Sequence, residues 1–546
     1  MIRPAYAPRI VPSKKKVRSR PRIALRRGSP APLRIGKSPV GPTCRELRRR
    51  SCYSDSSIFE PGAEPGNPRR RFPEASGARS MQHRLKQRIM ALCESVLAIC
   101  LADSRPRQST HRSTRTHGRA IFSNGVSTLP SVIAAALILA ACHQPAAQAE
   151  NWPRFRGTNG TGVSDLSGVP TEWTEDDYEW VVSLPGIGHA SPVVWDDALF
   201  ITTGDEDGLR TLYRLDASTG EQVWSRSERL DTNHLHVKNS YASSTPAVDG
   251  ERVYVIHADF DQQWVIAYTM DGEEVWRYDV GPFVCQHGQG VSPIVYNETL
   301  IVANDQREPG VSSLLAFDRR TGDVIWQSPR ESREVSYSTP FVLERADHDP
   351  QLICLSGVSG LTGYDPETGE ELWTTPEMPL RTVACPVYGN GLILASCGSG
   401  GIGKYLMAVD PDAADGTAAT LKYERLQAET LNYVPTPIVL GEYVYLWCDR
   451  GMICCVEMAT GRTAWKERIG GNYSGSPILI DGYLYCMSEE GEVVVVEASP
   501  GFSGQKSSPL GVGSHSTPAV GNGRVYFRGF DRLACLKAGP QAAAGN

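Results

Sequence analysis

One short pattern recurs along the C-terminal two thirds of this 546-residue chain and limits what it can fold into. A hydroxyl residue, or once Cys385, precedes a proline, and an apolar strand–turn–strand stretch follows, as in TPAVDGERVYVIHA from Thr245. Repetition at a period of roughly 20 to 50 residues is typical of a repeat architecture. The pattern occurs eight times, with Pro192, Pro246, Pro293, Pro340, Pro386, Pro437, Pro477 and Pro518.

A second motif follows most copies: two more short strands around a Thr-Gly or Asp-Gly turn, ending in tryptophan, as in LLAFDRRTGDVIW. Each repeat therefore reads as four short strands, which is the composition of a β-propeller blade. The fold class predicted is all-β: an eight-bladed β-propeller of four-stranded antiparallel blades spanning residues 178–540. The segment around Trp180 is predicted to pair with the C-terminal strands, which closes the ring and removes an open sheet edge.

The tryptophans occupy equivalent positions in the repeats, so we expect them to pack between neighbouring sheets as structural docking residues. Two repeats depart from the pattern. The fifth has the insert DPDAADGTAATLKY with Tyr423 in place of tryptophan, and the seventh has no tryptophan at this point. The docking set is Trp180, Trp224, Trp276, Trp326, Trp373 and Trp465.

Charge divides the chain unequally. Residues 1–120 hold 28 Lys and Arg against 7 Asp and Glu, whereas the rest holds 28 against 54. The basic part has few apolar runs and should not bury a core, so residues 1–120 are predicted to be disordered or an over-extended start. The acidic remainder disfavours a face that binds nucleic-acid phosphates.

Residues 121–150 have the layout of an export signal, with a short apolar run and small residues after it. The run is too short to span a bilayer comfortably. Two processing sites compete: an Ala-x-Ala end at 147–149, and Cys142 in LAAC, which resembles a bacterial lipobox and would be lipidated. Both predict export, to the periplasm, to an outer-membrane lipid anchor or by secretion. Residues 151–177 then form a leader segment, and 541–546 a tail.

Nine cysteines lie in the acidic part, mostly inside apolar strands, and none is spaced as a zinc site. They are expected to act as small buried hydrophobic residues. A disulfide between Cys385 and Cys397, which flank one predicted hairpin, is left open, as is a strained vicinal bridge between Cys454 and Cys455.

The residues just before each proline should ring one mouth of the propeller. They are unusually polar and aromatic for equivalent positions, and two interpretations stay open. They satisfy the backbone at crowded strand starts, or they line a pocket for a sugar, a peptide end or a planar cofactor. No metal site is predicted. The candidates are His189, Asn239, Tyr241, His287, Gln289, Tyr337, Arg381, Asn432, Tyr433, Tyr473 and His515.

The stretch AFDRRTGDVIW resembles A-x-D-x-x-T-G-x-x-x-W, the tryptophan-docking motif of the quinoprotein alcohol dehydrogenases. The matching residues are Ala316, Asp318, Thr321, Gly322 and Trp326. The resemblance covers about residues 191–540 and implies the PQQ-like propeller superfamily, which also contains the BamB-like scaffold lipoproteins that bind no quinone. The leader NWPRFRGTNGTGVS looks like the start of many bacterial secreted PQQ-like repeat proteins.

The resemblance implies two functions of different classes. The first is an exported scaffold or binding module that holds an envelope protein or a small carbohydrate or peptide ligand, acting as a monomer without nucleic acid. The alternative is a PQQ-dependent alcohol or sugar dehydrogenase that uses calcium. None of that family's catalytic or calcium-binding residues is matched to a position here, so the docking motif alone favours no enzyme.

Overall fold

The computed structural model describes residues 150–539 except 309, 416 and 427–429. The expectations for the basic start, the export signal, Cys142 and the tail therefore lie outside the described residues. Within them the chain forms β-strands and two 3₁₀ turns, Thr158–Gly160 and Glu175–Asp177. In this part of the chain, no helix has the length and apolar character needed to cross a membrane.

The strands follow one another as the repeats predict. The first fourteen are β1 (Val163–Ser164), β2 (Tyr178–Ser183), β3 (Val193–Trp195), β4 (Ala198–Gly204), β5 (Leu209–Asp216), β6 (Gln222–Arg229), β7 (Ala247–Val248), β8 (Arg252–Ala258), β9 (Gln263–Thr269), β10 (Glu274–Asp279), β11 (Ile294–Tyr296), β12 (Thr299–Asn304), β13 (Ser313–Asp318) and β14 (Val324–Pro329). The next twelve are β15 (Phe341–Arg345), β16 (His348–Leu355), β17 (Leu361–Tyr364), β18 (Glu371–Thr374), β19 (Val387–Gly389), β20 (Leu392–Gly398), β21 (Gly403–Asp415), β22 (Ala418–Arg425), β23 (Ile438–Leu440), β24 (Tyr443–Trp447), β25 (Met452–Glu457) and β26 (Thr463–Arg468). The last are β27 (Ile478–Ile480), β28 (Tyr483–Met487), β29 (Glu492–Glu497), β30 (Gln505–Pro509), β31 (Ala519–Gly521), β32 (Arg524–Arg528) and β33 (Arg532–Lys537).

Consecutive strands pair antiparallel into four-stranded sheets, β3–β6, β7–β10, β11–β14 and β23–β26. Strand β1 adds to β27–β30 in parallel, and β2 completes the sheet of β31–β33 by pairing antiparallel with β33. That last pairing is the one predicted for the segment around Trp180. It joins the N-terminal part of the described chain to its C-terminal strand.

Strands β15–β22 form one eight-stranded sheet, because β18 and β22 are joined by a single parallel pair, Thr374 with Ala418. Each half is itself a four-stranded antiparallel meander. The all-β class and the four-stranded antiparallel sheets are thus confirmed.

Local sequence explains the strands and their turns. In β4 every residue is buried, whereas the outer strand β14 alternates, with Trp326 buried and Ile325 exposed. In five sheets, an Asp or Asn residue with positive φ lies in the tight turn between the first two strands. One of them is Asp481, with φ 49°, and Gly482 follows it with φ 78°. Such turns match the right-handed twist of the strands they join.

Tryptophans contact the following sheet. Trp276 donates from its indole nitrogen to the Arg319 carbonyl at 3.1 Å, and its ring lies against Gly322. At Gly322 φ is 78°, and a Cβ would lie 2.6 Å from the ring, so glycine is required there. Trp224, Trp326 and Trp465 make the equivalent hydrogen bond to the next sheet.

The contact between the two halves of the eight-stranded sheet, which come from the fourth and fifth repeats, is different. Trp373 donates to Gln351 Oε1 at 2.9 Å within its own sheet rather than to the next one. The insert has replaced the Thr-Gly turn that would receive it, and β18 pairs directly with β22 instead. In the fifth sheet, Tyr423 takes the docking role by donating from its hydroxyl to the Met458 carbonyl at 2.8 Å.

All nine described cysteines are buried and free. The disulfides left open by the sequence, Cys385 with Cys397 and Cys454 with Cys455, are therefore wrong for this structure. Cys397 lies in the fully buried strand β20, and Cys385 accepts a backbone hydrogen bond from Thr339.

Candidate functional site

The eight residues that precede the prolines form a closed cycle of hydrogen bonds, which we call the crown. In each link the backbone N–H of one residue donates to the side chain of its counterpart in the next repeat, at 2.9 to 3.3 Å. The last link returns from Thr517 to Ser191 at 3.2 Å. The members are Ser191, Thr245, Ser292, Thr339, Cys385, Thr436, Ser476 and Thr517.

On one side of the crown, the channel is closed by residues 151–164, which we call the leader plug. The plug meets the second residue after the proline in several inner strands. Trp152 forms a bridge with Val194, and Val248 donates to the Pro153 carbonyl at 2.8 Å. Further along, Leu479 donates to the Gly162 carbonyl at 2.7 Å, where β1 joins β27.

Arg156 holds the centre of the leader plug. Its guanidinium donates to the carbonyls of Thr436, Pro437 and Pro477, at 3.3, 2.8 and 2.9 Å, and it is fully buried. Trp152 is 1% exposed. The leader is therefore part of the folded core and not a free linker.

On the other side of the crown lies a cavity of about 620 Å³. Seven crown members line it, all but Cys385, together with Phe155 from the leader plug. It reaches the surface at His236 and Arg450, which are exposed. Seven of the eleven sequence candidates also line it: His189, Asn239, His287, Tyr337, Arg381, Tyr433 and His515.

Two candidates near the second repeat do not line the cavity. Tyr241 donates from its hydroxyl to the Asn233 carbonyl at 2.6 Å, and its ring lies under the Arg210 guanidinium at 4.0 Å. Gln289 donates to the Val291 carbonyl at 2.7 Å. Both side chains serve their own loops.

The other two are buried in the sixth-repeat region. Asn432 is fully buried and donates to Ser396 Oγ at 3.0 Å and to the Pro435 carbonyl at 2.9 Å. Tyr473 is 1% exposed and packs edge-on against Trp447, with ring centroids 5.3 Å apart. These two residues act in packing.

The structure adds residues that the sequence reading passed over. Residues 231–242, the mouth loop, cross part of the cavity, and Lys238 Nζ lies 2.6 Å from Glu489 Oε1 on the opposite side. His236 pairs with His287, ring centroids 4.8 Å apart, and His189 pairs with His515 at 4.5 Å. Lys238 and His236 lie eight and ten residues before Pro246, too far for the local pattern to indicate them.

The two carboxylates of the cavity lining are both engaged. Burial raises the pKa of Glu489, but the nearby His515, 3.8 Å away, and hydrogen bonds from Lys238 and Ser474 outweigh it and hold that pKa at about 2. Burial raises the pKa of Asp449 to about 6, although it accepts the backbone N–H groups of Tyr433 and Val434.

Three histidines of the cavity, His189, His236 and His287, have a pKa below the usual range. Burial, and then the neighbouring His515 and Arg528, lowers the pKa of His189 well below its usual range. Burial first, and then nearby cations, also lowers the pKa of His236 and of His287. At neutral pH the mouth is therefore rich in nitrogen donors and has two anionic groups.

This donor set does not fit a calcium-bound quinone. Calcium takes six to eight oxygen ligands, and the cavity offers two carboxylates that already accept hydrogen bonds. Across the described residues, no group of three or more His, Cys, Asp or Glu is placed to hold a metal ion. We assign no quinone chemistry to these residues.

The family model described as outer membrane protein assembly factor BamB matches residues 173–260 and 261–507, together more than half of the chain. The chain belongs to this BamB family. The PQQ-like repeat assignment made from the tryptophan motif is thereby confirmed. No curated protein matches the chain.

Solved structures similar to this BamB family member include a BamB protein and an alcohol dehydrogenase. BamB from Moraxella catarrhalis is 17% identical, with a TM-score of 0.42, over 60% of this chain and 94% of that one. Quinohemoprotein alcohol dehydrogenase from Comamonas testosteroni is 14% identical, with a TM-score of 0.43, over 77% and 86%. At such identities, no activity, ligand or partner passes from these proteins to this chain.

Proposed function

We propose that this protein is an exported eight-bladed propeller, residues 178–540, that acts as a binding or scaffold module in the cell envelope. One observation carries the proposal: polar and aromatic side chains from separate repeats converge on a single cavity that is closed at one end and reaches the surface at the other. A concave site with a few convergent polar groups is the usual form of a binding site. The eight links of the crown support a count of eight blades.

Membership of a family named for outer membrane protein assembly supports an envelope protein as the partner. The cavity suits a small ligand, and the exposed mouth loop suits a protein contact: Val237 in that loop is 86% exposed. We place the protein in the periplasm, either free or held at the outer membrane by a lipid on Cys142, as a monomer. Mass spectrometry of the mature N-terminus separates a lipidated Cys142 from a start at Glu150, and a start within 1–120 would contradict export.

Site-specific photocrosslinking in cells tests the partner. A photoreactive residue is placed at Val237 in the mouth loop, at Val223 on an outer strand, and at Asp347 in an exposed hairpin as the control. We expect a discrete adduct at Val237 or Val223 and none at Asp347. Adducts equal in yield at all three positions, or at none, would contradict the scaffold role.

Titration of the purified protein with PQQ and calcium tests the dehydrogenase alternative. We expect no change in quinone absorbance and no dye reduction with alcohols or sugars, because the cavity lacks a set of oxygen ligands for the cation. Turnover that depends on both PQQ and calcium would overturn the proposed function in favour of a quinoprotein enzyme.

A further inference from the structure

Three arginines next to the crown, none of which lines the cavity, are buried without a carboxylate partner. Arg154 donates from Nη2 to the Pro340 carbonyl at 2.6 Å, and its Nε has no partner. Arg528 is fully buried and donates from Nη1 to the Ala190 carbonyl at 2.8 Å, leaving Nε and Nη2 without partners. Among the described residues, neither these two nor Arg156 has a carboxylate within ion-pair distance.

These guanidiniums remain charged. Burial lowers the pKa of Arg154 and of Arg156 to about 10 and that of Arg528 to about 9, which still leaves all three protonated at neutral pH. A buried cation is costly unless a counter-charge or several hydrogen bonds compensate it. Arg156 has five carbonyl contacts, but Arg154 and Arg528 have one each. The structure therefore holds uncompensated positive charge beside the cavity.

The contacts of the three arginines show where they lie relative to the crown. Pro340 and Pro437, whose carbonyls accept from Arg154 and Arg156, directly follow the crown members Thr339 and Thr436. Arg528 lies behind the wall, close enough to His189 to lower the pKa of that imidazole. Two of these charges therefore lie directly behind crown residues that line the cavity, and the third lies behind His189.

The crown supplies matching hydrogen-bond donors. Each of its seven hydroxyls accepts a backbone N–H, and within the described chain none donates to a protein acceptor. All seven line the cavity. Since a hydroxyl carries one proton to donate, seven donors converge on the floor without an assigned acceptor.

Acceptors are scarce in the rest of the lining. Glu489 already accepts from Lys238 and Ser474, and Asp449 accepts from two backbone N–H groups. Three cations also line the cavity: Lys238 and Arg381 are paired with Glu489 and Glu334, and Arg450 has no carboxylate partner among the described residues. A ligand that completes this cavity must bring acceptors and negative charge.

We propose that the cavity binds a small organic anion, with a carboxylate or phosphate group of the ligand accepting from the crown hydroxyls in the field of Arg154. The inference rests on the proposed binding function and names its ligand class. The aromatic faces of Tyr337 and Tyr433 above the crown accommodate the uncharged part of the ligand.

Calorimetric titration of the purified protein at low ionic strength tests the ligand class. The probes are glucuronate, glucose 6-phosphate and glucose, which share a ring and differ in charge. We expect binding of one or both anions and none of glucose, and the anion that binds identifies the preferred group. Binding of glucose as tight as that of the anions, or binding of neither anion, would overturn the inference.

A matched pair of variants tests whether the charge of Arg154 contributes to anion binding. Arg154→Met removes the charge while keeping the length of the side chain, and we expect the anion to bind roughly ten- to hundredfold more weakly. Arg154→Lys keeps the charge and should retain most of the affinity. Equal affinity for wild type and both variants, with unfolding midpoints showing that all are folded, would exclude a role for this charge.

A second pair of variants tests the crown. Thr339→Val removes a hydroxyl that lines the cavity, and we expect anion binding to weaken roughly threefold or more. Cys385→Ser is the control, because Cys385 does not line the cavity, and we expect the affinity to stay within about twofold. Equal affinity for wild type and Thr339→Val, with an unfolding midpoint showing that the variant is folded, would count against the crown. If the anions fail while the Val237 adduct forms, the scaffold function stands without this ligand.

Discussion

The two ends of the central channel are built from the same eight strand starts and yet differ in almost every physical property. The plugged end is filled by the chain itself: Trp152 is 1% exposed and Arg156 is fully buried against backbone carbonyls. The mouth end is lined by histidines, tyrosines and engaged carboxylates around a cavity of about 620 Å³. One end is closed by residues of the chain itself, and the other holds a cavity that reaches the surface.

The contacts at the two ends should therefore contribute to different properties of the protein. The plug's contacts are apolar burial and buried hydrogen bonds, which contribute to the free energy of unfolding. The mouth's contacts are partly exposed ion pairs and a loop, which contribute little to stability. Changes at the plug should therefore affect unfolding, and changes at the mouth should affect pH response and binding.

The largest expected effect is at the plug. Trp152→Ala should lower the free energy of unfolding by about 3–5 kcal/mol, because a fully buried indole is lost and a cavity remains. Denaturant unfolding measures it, with Val237→Ala in the exposed mouth loop as the control, expected to stay within about 0.5 kcal/mol. A loss below about 1 kcal/mol for Trp152→Ala would mean that the plug is an accessory to the fold.

An intermediate effect should appear at the mouth as pH dependence. The pKa of His189 is lowered in the folded state, so its contribution to stability is fully present above the unfolded value of 6.5 and is lost as pH falls toward the folded value. The stability difference between wild type and His189→Gln should therefore shift by at most about 1.4 kcal/mol per pH unit below pH 6.5.

Two carboxylates of the mouth also change the stability of the protein as the pH falls. Glu489, with a folded pKa of about 2, loses its contribution only below pH 4.5, while Asp449, raised to about 6, favours folding as pH falls from 6 toward 3.8. Comparing each variant with wild type at the same pH removes both. The exposed His348→Gln serves as the control, and the same pH slope in both histidine variants would show that the mouth does not titrate as described.

The smallest expected effect is at the ion pair that crosses the mouth. Lys238→Met removes the contact to Glu489, and we expect a change of less than about 1 kcal/mol in unfolding because both groups are partly exposed. Limited proteolysis of the mouth loop should nevertheless become faster, since the loop loses its far-side contact. Unchanged cleavage would show that other contacts of the loop, such as His236 with the His287 carbonyl, are sufficient.

The sequence predicts the strands and sheets well because their determinants are local: alternation of apolar residues, Asp or Asn in tight turns, and a tryptophan at a fixed place. It does not predict the leader plug, whose contacts join residues far apart, such as Arg156 and Pro477, 321 positions away. Nothing in NWPRFRG alone indicates that its arginines are buried.

The candidate site was only partly accessible to the same reasoning. Position before the proline placed His189 and His515 at the mouth, but it could not show which way a side chain turns, and Tyr241 turns to its own loop. The residues before the prolines have a structural role, because the side chain of each one accepts a hydrogen bond from the backbone N–H of a neighbouring repeat. Only the three-dimensional structure shows that seven of these residues also line a cavity.

The leader plug also sets an orientation. Cys142 lies eight positions before Glu150, where the described chain begins, and eight residues extend no more than about 29 Å. If Cys142 carries the proposed lipid, the plugged end would therefore lie within about 29 Å of the bilayer. The mouth would then face away from the membrane.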